Sequence, residues 1–249
     1  MKTASWISLA LGSAGALAGL GAYAVNGRSS TLLAPSVWRG PRDHPSYAIT
    51  FDDGPSESTP RLLDLLDAYS VKATFFLVGA NVRRLPAIAR EVFRRGHEVG
   101  NHGDRHPYYC FQSPAFVYRD IVAGQEAIED VLGFSPWLFR PPFGLRWPGM
   151  REAQRACGLV GVQWSVMGRD WRLSAGEIAQ RLATGVAPGA ILCLHDGREL
   201  AINPDIRPTI TAVRALLLHR AVSDLKPATI STLFAPELFL EAEGLTGRS

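Results

Sequence analysis

The stretch SYAITFDDGPSESTPRLLDLLDAYSVKATFFLV, residues 46–78, reads as one complete strand-helix-strand unit. The apolar run Ser46–Phe51 predicts a strand, and Asp52-Asp53-Gly54-Pro55 forces the chain to turn at its end. Thr59–Tyr69 predicts a helix, with Leu62, Leu63, Leu65 and Leu66 as its apolar stripe and Pro60 in its first turn. Val71–Val78 predicts the next strand. Two strands joined by a crossover helix run parallel.

The same alternation continues outward. Pro86–Arg95 predicts a helix closed by Gly96 in a left-handed cap, followed by a strand over His97–Gly100. Ala115–Leu132 predicts a helix with Gly133 behind it, and Leu138–Arg140 a short strand. Further elements are expected at Met150–Cys157, Gly161–Val166, Ala175–Thr184, Ala190–Leu194, Pro208–His219 and Ala228–Thr232. No internal repeat is visible, so the pattern describes one α/β domain in which polar motifs follow the strands. In parallel barrels those positions carry the active-site loops.

Composition agrees with such a domain. The chain has 249 residues, 47% hydrophobic and 20% charged, which excludes disordered and fibrous classes. Lys and Arg number 26 against 23 Asp and Glu, a net charge of +3 with no basic concentration or nucleic-acid motif, so no nucleic-acid partner is expected. Arg83, Arg84, Arg90, Arg94 and Arg95 read as a solvated helix face. Cys110, Cys157 and Cys193 are too few and too irregularly spaced for a disulfide framework, and the apolar setting of Cys193 reads as a buried strand thiol.

Ala4–Val25 carries no charge, which fits a secretory signal or a single membrane anchor over residues 1–25. Either places the remainder outside the cytoplasm, in contact with the membrane only if the segment stays uncleaved. Residues 26–43, rich in Gly, Ser and Pro, read as a tether, residues 44–236 as the domain and 237–249 as a tail.

Four motifs carry chemistry. In Asp52-Asp53 one carboxylate can ligate a metal while the other acts as a base, although an Asp-Gly turn with capping duty gives the same letters. His102 and His106, spaced i and i+4 around Gly103 and before Pro107, suit convergence on one ion from a loop. Arg140 stands in the rigid run Phe139–Gly144, and His195-Asp196 ends another apolar strand. Gly168-Arg169-Asp170-Trp171 adds a weaker fifth feature.

These motifs, in this order, resemble the polysaccharide deacetylases of carbohydrate esterase family 4, the NodB-homology group, from about Ser46 to Phe234. Ala73–Gly79 and Gly96–His102 also look like the family's flanking segments. The resemblance implies a distorted (β/α) barrel of about seven or eight strands, built as a single catalytic domain. It further implies zinc, or another divalent ion such as cobalt, in an Asp-His-His triad, and removal of acetyl groups from N-acetylated glycans. Carried over by position, Asp53, His102 and His106 would hold the metal and Asp52 would be the base, oriented by Arg140. The N–H of Phe143 would bind the oxyanion, His195 would be the acid, and Trp171 and Leu194 would shape the acetyl pocket.

The sequence departs from that pattern at Gly103, where the family carries Ser or Thr, and at Met167, where the carboxylate orienting the catalytic His is expected; Asp170 or Asp196 could replace it. Two other readings stand beside the glycan deacetylase. One is an amidase or deacetylase of a glycolipid or small envelope amide, and the other a non-catalytic glycan binder. Tyr108, Tyr109, Phe111, Trp137 and Trp147 read equally as sugar platforms or as core and loop aromatics.

Overall fold

The computed structural model describes residues 15–234. Residues 15–26 are helical (α1), and β1 (Ser36–Val37), β2 (Ser46–Gly54), α2 (Thr59–Ala68) and β3 (Thr74–Leu77) follow. Next come α3 (Gly79–Arg84), α4 (Pro86–Arg94), β4 (Glu98–Asn101), α5 (Pro114–Leu132), β5 (Leu138–Phe139) and α6 (Met150–Cys157). The chain continues through β6 (Val160–Val162), β7 (Val166–Met167), α7 (Ala175–Gly185) and β8 (Ile191–His195) to α8 (Arg207–Leu217), β9 (Lys226–Ala228) and α9 (Ile230–Phe234).

The strands pair in parallel in the order β1-β6-β5-β4-β3-β2-β8-β7, with short β9 beside the start of β2. The eight-strand path matches the expected α/β barrel-like sheet, and β9 is an addition to it. Strand alternation sorts the core into layers. Tyr47, Ile49 and Phe51 of β2 and Leu192 and Leu194 of β8 pack with the apolar faces of the helices. Ala48 of β2 and Ile191 and Cys193 of β8 belong to a second cluster with Phe76, Val162 and Trp164. Asp52 and His195 are register partners at the C-terminal ends of β2 and β8.

Two expectations change. Gly161–Val166, read as one strand, is two, and residues 163–165 carry the chain from β6, next to β1 at one end of the sheet, to β7 at the other end. The break has a visible cause: the carbonyls of Val162 and Gln163 accept hydrogen bonds from the Arg140 side chain at 3.3 and 3.2 Å. Residues 26–43 are not a free tether. They contribute β1, paired with β6, and Arg146 donates to the carbonyls of Gly27 and Arg28 at 2.7 and 2.9 Å. Residues 1–14 of the expected leader and the tail 237–249 lie outside the described residues; among those described, no helix is long and apolar enough to cross a membrane.

His97, just before β4, is 2% exposed, with Nδ1 accepting the Ala73 N–H at 3.2 Å and no partner at Nε2. Burial, reinforced by the charge of Lys72, pushes its pKa down to about 4. The folded chain therefore holds this ring neutral, whereas the unfolded chain protonates it near its ordinary value of about 6.5. Stability from this source is complete above that value and is lost as pH falls from about 6.5 towards 4. Urea titrations should show the wild type losing about 2 kcal/mol more than His97→Gln between pH 7 and about 4.5. Equal losses would contradict the assignment.

Candidate active site

Successive residues of a strand point to opposite faces, yet Asp52 and Asp53 line the same cavity, of about 470 Å³. A bulge makes this possible. The register of β2 against β3 shifts between Asp52 and Gly54, and Asp53 takes a left-handed φ of 72°. Asp52 Oδ1 accepts from Arg140 Nη1 at 2.6 Å, and Oδ2 lies 3.4 Å from the Cys193 thiol. Asp53 Oδ2 accepts the Glu199 N–H at 3.0 Å, and Asn81 Nδ2 donates to the Asp53 carbonyl at 2.8 Å.

The loop after β4 brings two imidazoles to Asp53. His102 Nδ1 donates to the Arg140 carbonyl at 2.6 Å, which leaves its Nε2 as the free lone pair, 3.4 Å from Asp53 Oδ1. His106 Nε2 lies 3.0 Å from the same oxygen, and all three residues are buried. Burial disfavours the Asp53 charge, but the imidazoles of His102 and His106 against it, with the charges of His195 and His106, outweigh burial and hold the carboxyl well below the usual range. One donor atom from each residue lies within 4.8 Å of the others. One carboxylate and two imidazoles, buried and converging, fit a divalent cation of the zinc class, and three protein ligands leave room for water and substrate.

The departure at Gly103 has a local reason. Its φ is +76°, and a Cβ there would come within 2.7 Å of Asp120 Oδ2 and 2.8 Å of the Tyr109 hydroxyl. Asp120, on α5, accepts from the N–H groups of Asp104 and Arg105 and from the Tyr109 hydroxyl. The Asn101 side chain accepts the Gly103 N–H at 2.7 Å. The loop is thus held by α5 and the end of β4, with no hydroxyl needed at 103.

The carboxylate expected at Met167 is supplied by Asp170. Its Oδ1 accepts from His195 Nδ1 at 2.7 Å, and its Oδ2 accepts from Thr209 Oγ1 and the His195 N–H. Burial opposes the charge on His195, but the Asp170 charge and hydrogen bond outweigh it and raise the pKa to about 9. Asp196 is buried below the turn, bonded to Thr59 Oγ1 at 2.6 Å, and does not take this role.

Trp171 lines the cavity, its ring 5.2 Å from that of His195. Phe143, at a strained φ of 56°, lines it too, with its ring 4.6 Å from that of His106. Leu194 does not line it. It is fully buried against the helices, while Cys193, one residue earlier, faces the cavity beside Trp164 and Met167. Period-two counting back from His195 gives this signal, and it corrects Leu194 as a pocket wall. Cys193 is the buried strand thiol expected, 0% exposed, and stands on the cavity side of β8. Of the five loop aromatics, Tyr109 is core, Trp137 packs against the inner cluster, Trp147 is partly buried, and Tyr108 and Phe111 are exposed.

The polysaccharide deacetylase family profile matches residues 39–162. A peptidoglycan-N-acetylglucosamine deacetylase of Bacillus cereus is 34% identical over 201 residues, 79% of this chain and 92% of that protein. A peptidoglycan-N-acetylglucosamine deacetylase of Listeria monocytogenes is 37% identical over 169 residues, 67% of this chain. The match takes in 35% of that relative's length. The crystal structure of a peptidoglycan N-acetylglucosamine deacetylase with a bound naphthalenyl N-oxidanyl-benzamide superposes with a TM-score of 0.73 at 29% identity, covering 79% of this chain and 91% of that one. The chain belongs to the polysaccharide deacetylase family.

Restoring the family's hydroxyl as Gly103→Ser should destabilise the protein by about 2 kcal/mol, from the left-handed backbone and the blocked Cβ. Gly103→Ala should cost the same, since the Cβ and not the hydroxyl is at fault. Urea unfolding of both variants reads this, and unchanged midpoints would contradict it.

Proposed function

We propose that the protein is a metal-dependent deacetylase that hydrolyses the N-acetyl amide of an N-acetylated glycan, peptidoglycan or chitin-like, to acetate and a free amine. The observation that carries the reading is the division of labour between Asp52, clamped by Arg140, and Asp53, which faces His102 and His106. Family membership and the names of the relatives support the substrate class. Their action on peptidoglycan also supports a site of action outside the cytoplasm.

An amide resists hydrolysis at both ends: the carbonyl is a weak electrophile and the amine a poor leaving group. Asp53, His102 and His106 would hold a divalent ion, zinc or cobalt, which supplies Lewis-acid polarisation of the acetyl oxygen and of water. Asp52 keeps Oδ1 on Arg140, so its Oδ2 takes the proton of the attacking water. The N–H of Phe143 donates to the developing oxyanion. His195, charged at neutral pH beside Asp170, gives its proton to the departing sugar nitrogen. Trp171, Cys193 and Trp164 wall the space for the acetyl methyl. The Asp170–His195 pair speaks against a non-catalytic binder, because it gives His195 the orienting carboxylate that position 167 lacks.

The defining experiment is acetate release by the purified chain from N-acetylglucosamine oligomers and from peptidoglycan, before and after metal removal and zinc return. Zinc-restored release is expected, and none from a folded, metal-loaded chain would overturn the proposal. Asp52→Asn should lower kcat at least about a thousandfold with metal content unchanged by elemental analysis, whereas Asp53→Ala should lose the metal.

Asp170→Asn tests the acid. His195 serves only while charged, so activity in the wild type falls as pH rises through about 9. Without the Asp170 charge that limb should move down towards about 6.5, with kcat reduced about a hundredfold. A limb that stays in place would remove His195 from the acid role.

A further inference from the structure

We propose that a groove beside the catalytic cavity binds an anionic substituent carried by the glycan, a carboxylate or phosphate near the sugar being deacetylated. The proposal rests on the deacetylase reading above and names a feature of its substrate. The groove, of about 790 Å³, is lined by Arg28, Arg169 and Arg181, and among the described residues no Asp or Glu lines it. None of the three arginines forms an ion pair with another described residue. Trp164 and Met167 line both the groove and the catalytic cavity, so a chain seated in one runs on into the other.

The cations are positioned by main-chain contacts. Arg28 Nη1 donates to the Ser165 carbonyl at 2.7 Å, and Arg181 Nε donates to the Met167 carbonyl at 2.6 Å. Both grip the segment around β7 that forms the shared wall. Arg169 sits in a left-handed conformation, φ 56°, directly before Asp170 and Trp171 of the catalytic site. Arg28 is itself held from beneath. Arg146, 1% exposed, donates to the carbonyls of Gly27 and Arg28, and its own N–H donates to the Val25 carbonyl at 3.0 Å.

A neutral glycan offers hydroxyl and amide groups and has no use for three uncompensated guanidinium groups. Guanidinium pairs with carboxylate and phosphate through forked, charge-assisted hydrogen bonds. The same field repels the amines that deacetylation leaves behind, so glycan already stripped of acetyl groups is disfavoured there.

The test compares soluble peptidoglycan fragments bearing free carboxylates, the same fragments with those carboxylates converted to methyl amides, and a phosphate-substituted glycan of equal length. For the wild-type chain, kcat/KM should be highest on the anionic fragments and fall with added salt; the better of the two anionic arms assigns the source of charge. In Arg28→Gln/Arg169→Gln/Arg181→Gln the ratio of kcat/KM on carboxylate to amide fragments should drop about tenfold, mainly through KM. Arg169→Gln alone, whose side chain bonds no main-chain group, should lower the ratio in part and guards against misfolding of the triple variant. An unchanged ratio in both variants overturns the groove.

Calorimetric binding of the carboxylate and amide fragments to the wild type and the triple variant separates the two proposals. A preference for carboxylate that the variant loses, without any acetate release, supports the groove and sinks the deacetylase. Acetate release with no preference does the reverse.

Discussion

The guanidinium of Arg140, fully buried, is the contact on which the site and the barrel both depend. Its Nη1 reaches Thr50 and Asp52 on β2, and Nε and Nη2 reach carbonyls at the end of β6. Its carbonyl fixes the His102 ring, and its N–H is tied to Asn101 on β4. A buried cation is costly unless paired and hydrogen-bonded, and this one is paired with Asp52 and bonded to β2 and the end of β6, while the Arg140 main chain ties in β4. Phe76 covers its face, with the ring centroid 4.1 Å from the guanidinium carbon. Orientation of the candidate base and the point where β6 leaves the ladder are therefore one arrangement.

The polar groups around it are sorted by partner. Two adjacent carboxylates would ordinarily share one environment, but the bulge at Asp53 separates them: Asp52 belongs to Arg140, Asp53 to the two imidazoles. A second pair, partly buried His195 and buried Asp170, stands across from them with the opposite bias, its imidazole favouring the proton. Pushing neighbouring groups apart in this way is how one cavity keeps a proton acceptor and a proton donor at the same pH.

Much of this was legible in the residues. The β2-α2-β3 unit announces itself because its apolar pattern is local and periodic. Asp53, His102 and His106 meet as the resemblance implied. What stayed hidden is non-local. β1 is two residues long in a Gly- and Pro-rich stretch, and only β6 makes it a strand. The break after Val162 is imposed by a side chain from β5's far end, not by any residue at the break. Asp170 reaches His195 through a left-handed turn at Arg169, a conformation that sequence spacing does not encode. That Cys193 and not Leu194 faces the cavity was readable from strand parity counted back from His195.

The pairing of β1 with β6 also sets an order of events in synthesis. Ser36 needs Gly161 as its partner, and Arg28 is held by Arg146, 118 residues further on. The earliest part of the sheet to leave the ribosome is thus unable to dock until most of the barrel has been made. Until then the outer edge of β6 has no neighbour and the Arg146 guanidinium stays in water. The amino-terminal segment closes a long loop, the slow kind of contact to form, and works as a latch that is made first and fastened late.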